Sequence, residues 1–491
     1  MSILIVVNSP DKWPLHVPGV EVVSARGYVS EARFSDLRGV KVFNLCKSYR
    51  YQSLGYYVSL LAEARGHRPM PSITTIQDLK SPAMLRLAAD DLEETIEESL
   101  GRIGSDEFTL SVYFGRNLAR KHDRLALKLF NLFPAPLLRA EFVREKTWTL
   151  RSIAPIPVGD VPAEHRPFLL EVAQEYFAGR RRAGSGVGRG TSRFDLAILH
   201  NPEEDAKPSN QGALEKFIRA ARELGIEADL ITRDDYARLA EFDGLFIRET
   251  TKVNHHTYRF SRRAAAEGLV VIDDPESIVR CSNKVFLAEM LERHDIGHPR
   301  TFIAHKDNIE DIPLYVGFPC VLKQPDSAFS QGVMKATDPA MLEQQTRELL
   351  EGSDLVIAQE FVPSEFDWRV GVLDGKALFV CKYHMARGHW QIVTTTRSGE
   401  REFGRVEAVP IDEAPRRVVS AAVRAASHIG DGLYGVDVKQ VDGKVYVIEV
   451  NDNPNIDSGY EDKVLGKDLY LRVMQVFLSR MEARREGRQR V

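Results

Sequence analysis

Apolar residues follow two patterns along this chain. Short apolar runs predict strands, and apolar residues spaced three or four apart predict helices. Near the N-terminus, short apolar runs predict buried strands at SILIVV, VEVVSA and VKVFNL. Apolar residues spaced three or four apart predict a helix at YYVSLLAEARG, which would end at Gly66. Strands that alternate with helices predict a small α/β layer, which we assign to residues 1–178.

A stretch rich in glycine and arginine follows at 179–193 and predicts a linker. Its glycines lack the spacing of a phosphate-binding loop, and no predicted strand precedes them. Residues 194–274 then predict a second α/β unit, because strand patterns alternate with helical ones. The strand patterns are FDLAILHN, EADLIT, DGLFIRET and LVVIDD, and the helical ones are GALEKFIRAARELG and SRRAAAEG. This alternation predicts a mostly parallel sheet.

Two adjacent histidines, His255 and His256, follow the strand that Arg248 and Glu249 are predicted to end. In an extended backbone, neighbouring side chains point to opposite sides. We therefore expect these histidines to be surface or substrate-edge residues and a poor pair of metal ligands.

Residues 275–491 predict a larger region in which helices and strand pairs are mixed. The helical patterns are the pair in ESIVRCSNKVFLAEMLERHDIG, residues 413–429 and the last long stretch, DLYLRVMQVFLSRMEARREGR. Strand patterns occur at GFPCVLK, VMKA and LVIAQEFV, and on both sides of Asp374–Gly375.

The stretch LYGVDVKQVDGKVYVIEVNDNP predicts a hairpin that turns at Asp442–Gly443. Glu449 and Asn451 share a strand face because they are two residues apart. A three-residue loop that includes Val441 would bring Asp437 to the same face, whereas a two-residue loop would pair Asp437 with Ile448; we predict the longer loop. Three oxygen ligands on one face suit a magnesium ion that carries phosphates. The alternative is a half-buried hairpin with polar residues on its wet face.

Lys323 ends an apolar strand and precedes a polar loop that contains Ser327, Ser330, Gln331 and Gly332. A lysine beside hydroxyl and backbone donors is suited to a triphosphate. Lys284, near a predicted helix start, could supply a second positive charge. The alternative is a lysine that extends along the surface beside an ordinary loop.

Further along, the strand end at 359–362 could read an adenine edge with its backbone, or could simply be a buried strand end. Asp367 and Arg369 share a strand face; Asp367 could bond ribose hydroxyls and Arg369 could hold a planar anion, or the two could belong to a cross-strand ion pair. Arg387 adds a second candidate for holding a carboxylate or an acyl phosphate.

The composition of the chain argues against a nucleic-acid-binding protein and against a membrane protein. The chain has 43% apolar residues, 28% charged residues and a net charge of −4, which does not indicate nucleic-acid binding. No apolar run reaches the ~20 residues of a membrane span, and the scattered cysteines Cys46, Cys281, Cys320 and Cys381 favour a reducing compartment. We expect a cytoplasmic protein that does not bind membranes.

Taken in order, these motifs resemble the ATP-grasp superfamily, specifically the RimK-type carboxylate–amine ligases. The matching segments are SNK ending at Lys284, FPCVLK ending at Lys323, SxxSQGV (327–333), QEFV (359–362), DWRV (367–370), GVDV (435–438) and EVNDNP (449–454). The resemblance covers roughly 276–476. Residues 194–274 resemble the pre-ATP-grasp domain of such ligases, and residues 1–178 resemble the extra N-terminal domain of some RimK-like proteins.

The resemblance implies an α/β protein whose residues 275–491 form an ATP-grasp fold, in which two α+β subdomains clasp ATP. The residues expected to contact ATP are Lys284, Lys323, Ser327, Ser330, Gln331, Gly332, Gln359, Glu360, Phe361, Val362 and Asp367. Asp437, Glu449 and Asn451 would bind one or two Mg²⁺ (or Mn²⁺) ions. Arg369, Arg387 and Lys323 would serve the reaction itself.

The implied reaction has two steps: ATP phosphorylates a carboxylate to an acyl phosphate, and an amine then attacks to give an amide. The expected substrates are ATP and an amino acid or peptide, with glutamate joined to a peptide or protein terminus as the favoured case. The alternatives are a small-molecule dipeptide or amide ligase, a kinase-like phosphotransferase and a non-catalytic ATP-binding regulator. The chain could also form a homo-oligomer.

Overall fold

The computed structural model describes residues 2–13, 20–37, 40–182, 193–326, 332–386, 390–395 and 401–486 of the chain. Its backbone forms two compact units. The first consists of Met1–Asp195 with Asp234–Phe242, and the second of Leu196–Arg233 with Asp243–Val491. The domain boundaries at 178, 193 and 274 stay predictions.

The first unit contains a parallel sheet and an antiparallel sheet. Its strands are β1 (Ser2–Val7), β2 (Glu21–Ser24), β3 (Val40–Asn44), β4 (Arg68–Met70), β5 (Glu107–Tyr113), β6 (Leu137–Arg144) and β7 (Trp148–Pro155). Its helices are α1 (Ala25–Ser30), α2 (Leu54–Ala64), α3 (Ile73–Asp78), α4 (Pro82–Leu100), α5 (Asp123–Leu132) and α6 (Arg166–Arg182). The parallel sheet has the order β2-β1-β3-β4, and the antiparallel sheet has the order β5-β6-β7.

Strand β1 shows why the parallel sheet is covered on both faces. Leu4 and Val6 enter one buried apolar cluster, whereas Ile5 and Val7 enter another. Successive side chains of a strand point to opposite faces, so an unbroken apolar run needs packing partners on both sides. The predicted α/β layer is present at this sheet.

The second unit begins with a parallel sheet in the order β11-β10-β8-β9. Its strands are β8 (Phe194–Leu199), β9 (Ile226–Ile231), β10 (Gly244–Ile247) and β11 (Val270–Ile272), and its helices are α7 (Gln211–Glu223), α8 (His256–Ala266) and α9 (Pro275–Ser282). On one side, Phe217 of α7 packs edge-on against Phe246, with 5.0 Å between ring centroids. The mostly parallel sheet predicted for 194–274 is present.

Two antiparallel sheets complete the second unit, in the orders β12-β15-β13-β14 and β20-β17-β16-β21-β22. The strands are β12 (Thr301–Ala304), β13 (Cys320–Lys323), β14 (Val333–Ala336), β15 (Val356–Glu360), β16 (Phe366–Leu373), β17 (Lys376–His384), β18 (Val393–Thr395), β19 (Arg401–Phe403), β20 (Val406–Val409), β21 (Leu433–Val441) and β22 (Lys444–Asn451). The helices are α10 (Lys284–Arg293), α11 (Ile312–Val316), α12 (Pro339–Leu350), α13 (Arg416–Ser427) and α14 (Lys467–Arg485). Strands β18 and β19 form a separate pair.

Side chains of β16 alternate between the apolar core and a face that carries charged groups. Trp368, Val370 and Val372 enter the apolar cluster that α13 covers, whereas Asp367 and Arg369 point to the other face. The same division occurs on β13, where Leu322 is buried in a second cluster and Lys323 faces away from it. Each sheet therefore has one apolar face and one face that carries charged groups.

Two local predictions are corrected by the backbone. Helix α6 continues through Arg182, so residues 179–182 of the predicted linker are helical, and 183–192 lies outside the described residues. His255 and His256 do not lie on a strand: His255 is the residue at the N-cap position of α8 and His256 is the first residue of that helix. Their rings lie side by side, with 3.9 Å between centroids.

Short 3₁₀ segments connect several of these elements, and they lie at Pro10–Lys12, Ala32–Phe34, Arg120–His122, Val158–Asp160, Ala163–His165, Arg233–Glu241 and Ile309–Asp311. Within the described residues, every helix is too short or too polar to cross a membrane.

Candidate active site

The hairpin of β21 and β22 brings its three predicted metal ligands to one face by a route that we did not predict. The loop has two residues, Asp442 and Gly443, both left-handed with φ of 49° and 75°. The three-residue loop was therefore wrong. A bulge at Ile448 corrects the register instead, so that Asp437 lies directly opposite Glu449.

Asp437 is held by Arg369 from the neighbouring strand β16. The Nε and one terminal nitrogen of Arg369 each donate to a different carboxylate oxygen at 2.7 Å. Burial raises the pKa of Asp437, although attraction from Arg369 offsets part of that rise. Asn451 approaches the same carboxylate, with 3.5 Å between its Nδ2 and Oδ2 of Asp437.

Glu449 pairs with Lys284, whose Nζ lies 3.1 Å from its Oε1. Lys284 is the first residue of α10, and the side chain of Asn283 caps that helix. Burial opposes ionisation of Glu449, but attraction from Lys284 and Lys323 outweighs it and holds the pKa of Glu449 below its ordinary value. The carboxylate is therefore charged at neutral pH.

Lys323 differs from Lys284 and Arg369 because its hydrogen bond goes to a neutral group. Its Nζ donates to Oε1 of Gln359 at 2.8 Å, and Nε2 of Gln359 is 3.1 Å from the hydroxyl of Thr301. Burial lowers the pKa of Lys323 to about 8, and repulsion from Lys284 acts in the same direction against attraction from Glu449. Gln359 thus positions a cation whose charge is only partly compensated.

Asp367 is engaged by a lysine that the sequence analysis missed. Lys439 donates to Oδ1 of Asp367 at 2.5 Å and to the hydroxyl of Ser364 at 2.5 Å, and Ser364 donates to Asp367 at 3.0 Å. The sequence could have placed Lys439 at the site, because it is two residues after Asp437 on a strand and so shares the face of Asp437.

The strand end at 359–362 lines the cavity as expected, but two of its N–H groups are already bonded within the protein. The side chain of Glu360 points away to Arg300, at 2.8 Å. The N–H groups of Glu360 and Phe361 already donate to the carbonyls of Arg300 and Pro319, so neither is a free adenine-reading donor. Phe361 itself packs edge-on against Trp390, and Lys335 lies 3.6 Å from its ring centroid.

These side chains converge on one cavity of about 980 Å³ in the second unit. The predicted site residues that line it are Lys284, Lys323, Gln359, Glu360, Phe361, Val362, Asp367, Arg369, Asp437, Glu449 and Asn451. Tyr383 and Glu461, which bond to each other, also line it and were not predicted. The volume lies in the range of pockets that enclose a small ligand.

Four predicted residues, Ser327, Ser330, Gln331 and Arg387, lie outside the described residues. Gly332 is described and turns the chain with φ of 63°, while its carbonyl accepts a hydrogen bond from the N–H of Gln324. Gly332 does not line the cavity formed by the described residues. Its place in an ATP site stays a prediction.

The donor chemistry at the hairpin fits a magnesium ion. Asp437 and Glu449 offer hard carboxylate oxygens directly across from each other, and this is the ligand type that magnesium prefers. Asn451 turns its nitrogen towards Asp437, so its amide must rotate before its oxygen can serve as a ligand. Lys284 and Arg369 already neutralise the two carboxylates, and a metal would compete with these cations.

The sequence profile of the RimK-like ATP-grasp domain matches residues 281–476, and the profile of the RimK-like ATP-grasp N-terminal domain matches residues 25–172. The alpha-aminoadipate–LysW ligase LysX of Saccharolobus solfataricus is 31% identical over 195 residues, which are 38% of this chain and 67% of that protein. A probable alpha-L-glutamate ligase of Teredinibacter turnerae is 29% identical over 241 residues, 48% of this chain and 76% of that protein.

Among solved structures, D-alanine–D-alanine ligase from Bacillus anthracis superposes with a TM-score of 0.48 and 17% identity, over 60% of this chain and 99% of that one. The two matching profiles and the identity to LysX agree with the order of motifs around the cavity. The chain therefore belongs to the RimK-like ATP-grasp family of carboxylate–amine ligases.

Proposed function

We propose that this ligase activates the carboxylate of an acidic amino acid, with glutamate as the favoured case, and joins it to the amine of a peptide or protein terminus. The names of the relatives support the substrate class, since one is called a glutamate ligase and the other joins alpha-aminoadipate to LysW. Lys207, Lys252 and Lys463 line the cavity and would attract a second carboxylate on such a substrate.

The observation that carries the proposal is that Lys323 donates its hydrogen bond to a neutral amide and not to a carboxylate. The other predicted cations of the site each contact a carboxylate: Lys284 contacts Glu449 and Arg369 contacts Asp437. Lys323 is half-buried against a neutral amide, and the loss of water around it disfavours its charge. A phosphate group beside it would restore the missing negative charge, and binding would be favoured for that reason.

In this proposal Lys323 and Lys284 contact the ATP phosphates, and Asp367 contacts the ribose. Lys284 would have to exchange Glu449 for a phosphate. Val362 would contact the adenine, since the N–H groups of Glu360 and Phe361 are already bonded within the protein.

Asp437, Glu449 and Asn451 are the residues that would hold magnesium, as one ion or two. When bound, magnesium neutralises phosphate charge and helps to orient the phosphate that is transferred. The protein's own contribution is positioning, because phosphoryl transfer asks for little covalent chemistry from side chains.

Arg369 is a positioning residue in this arrangement, because its planar fork fixes both oxygens of Asp437. A direct contact between Arg369 and the acyl phosphate stays a prediction, and so does the role of Arg387. The cavity walls would keep water from the acyl phosphate, which hydrolyses readily.

The proposal is tested by incubating the protein with ATP, magnesium and pooled amino acids, each pool with and without a peptide acceptor. Phosphate release that depends on an acidic amino acid, with a condensed product in the mass spectrum, would support it. Glu449→Gln should retain the far-ultraviolet circular dichroism of the wild type and lose turnover by at least ~10². Equal turnover in Glu449→Gln would contradict the assignment of the site.

A further inference from the structure

A second group of ligand-type side chains lies outside the cavity, at one edge of the parallel sheet of the second unit. It comprises Glu249, His255 and His256, whose ligand atoms all lie within 4.8 Å of one another. Glu249 follows β10, and the histidines begin α8. The carboxyl ends of parallel strands are where open α/β sheets place ligands.

The carboxyl group of Glu249 is buried, and one of its oxygens has no hydrogen-bond partner among the described residues. Glu249 is 2% exposed, and its Oε1 lies 2.8 Å from Nε2 of His256. Its Oε2 has no hydrogen-bond partner among the described residues. Leaving a carboxyl oxygen buried and unpaired is costly, so this atom is positioned for a ligand that the described residues do not supply.

The hydrogen bonds of His255 leave its metal-binding nitrogen open. The hydroxyl of Thr257 donates to the carbonyl of Thr250 at 3.4 Å, so it accepts from Nδ1 of His255, 3.0 Å away. In that arrangement the neutral ring of His255 carries its proton on Nδ1 and its lone pair on Nε2. Histidines that bind a metal generally donate a hydrogen bond from their other ring nitrogen, and this bond fixes the orientation of the ring.

We propose that Glu249, His255 and His256 bind one divalent first-row metal ion, with zinc as the ion that fits best. Two imidazoles and one carboxylate are a ligand set that zinc accepts, with water in the fourth position. Zinc at about 2.0–2.2 Å from each ligand places the ligands about 3.4 Å apart, which small side-chain rotations can reach from the present spacing.

A metal at this site would hold both ends of a loop that lines the cavity. Glu249 and His255 are the residues immediately before and after Thr250–Asn254, and all five residues of that loop line the cavity. A metal bound to both ends would fasten the loop. The loop also contacts the protein through Thr250, whose N–H donates to the carboxylate of Glu204 at 3.3 Å. The site is thus separate from the magnesium-type ligands of the hairpin, yet it borders the same cavity.

The test begins with the full chain, from which a chelator and dialysis have removed bound metal. Zinc is then titrated in a calorimeter, and metal analysis measures how much zinc stays bound. Wild type should bind one zinc at this site, and His255→Asn and His256→Asn should each weaken that binding by at least about tenfold. His294→Asn is the matched control, because His294 also stacks on a second histidine, His428, at 3.7 Å, without belonging to a metal-type group among the described residues. It should bind zinc as wild type does.

Glu449→Gln separates this site from the proposed magnesium site and should leave zinc binding unchanged. If Glu449→Gln removes the zinc, or if both histidine variants bind it like wild type, the proposal fails. Hydrogen exchange provides a second readout: zinc should slow exchange of the amides at 250–254 in wild type and in His294→Asn. The same slowing in His256→Asn would overturn the proposal, while exchange in the other segments reports whether each variant is folded.

Discussion

Raising the pH should remove the positive charge of Lys323 and weaken the capture of ATP. Burial lowers the pKa of this lysine to about 8. At that pKa the side chain is about 90% protonated at pH 7 and about 10% protonated at pH 9. If only the charged form contacts phosphate, kcat/KM for ATP should fall about tenfold between these two pH values.

The sign of this effect distinguishes it from unfolding. The pKa of Lys323 is lower in the folded chain than its ordinary value of 10.5, so the unfolded chain binds more protons between about pH 8 and 10.5. The contribution of Lys323 to stability therefore improves as the pH rises through this range. A loss of activity there cannot be attributed to unfolding driven by this residue.

The measurement is the pH profile of kcat/KM for ATP, which reports ionisations of the free enzyme. The matched variant is Lys323→Arg, whose charge persists throughout the range, so its profile should be flat where that of the wild type falls. A wild-type profile that stays level to pH 9.5, or an equal fall in Lys323→Arg, would refute the role given to Lys323.

Three further predictions concern single substitutions. Arg369→Lys keeps the charge but loses the fork on Asp437, and the loss of one charge-assisted hydrogen bond should lower kcat by roughly 10- to 100-fold in steady-state assays; wild-type kcat would contradict this. Leu322→Ala, on the apolar face of β13, should lower the free energy of unfolding by about 2–5 kcal/mol in urea titrations, and a change below 1 kcal/mol would show that the face is not packed as described. Gly443→Ala should destabilise the hairpin by about 1–2 kcal/mol because φ is 75° there, and an unchanged urea midpoint would count against the two-residue turn.

The sequence predicted best those features that depend on local pattern. The apolar runs of β1 and β8, and the alternation of Asp367, Trp368 and Arg369, correctly gave strands and faces, because side-chain direction repeats every two residues. The grouping of Lys284, Lys323 and the hairpin carboxylates in one cavity followed from the order of the motifs, which matches the family.

Features that depend on distant contacts were not predictable from the same patterns. The bulge at Ile448 coincides with a hydrogen bond from the N–H of Val447 to the carbonyl of Gly297, 2.7 Å away and far off in sequence. A side chain at Gly297 would meet the carbonyl of Val445 at 2.5 Å, so this close approach requires glycine. Turn chemistry alone could not show that this segment would lie against β22.

The partners of charged groups were likewise set by the tertiary fold. The sequence left two roles open for Arg369, a hold on a substrate anion or a cross-strand ion pair. The structure shows the ion pair, with Asp437 on the neighbouring strand β21 as the partner. The histidines His255 and His256 were placed on a strand, because nothing in their immediate neighbours marks the start of α8. Their closeness to Glu249 emerges only when the loop at 250–254 returns to the sheet edge.

The central claim is that the chain activates a carboxylate as an acyl phosphate, and hydroxylamine trapping tests it most directly. The protein is incubated with ATP, magnesium, hydroxylamine and one amino acid at a time, with glutamate first, and Glu449→Gln serves as the control. We expect a hydroxamate of the acidic amino acid, formed together with ADP and phosphate, and none with Glu449→Gln. ATP consumption without any hydroxamate, accompanied by a phosphorylated alcohol, would contradict the claim and identify the enzyme as a phosphotransferase.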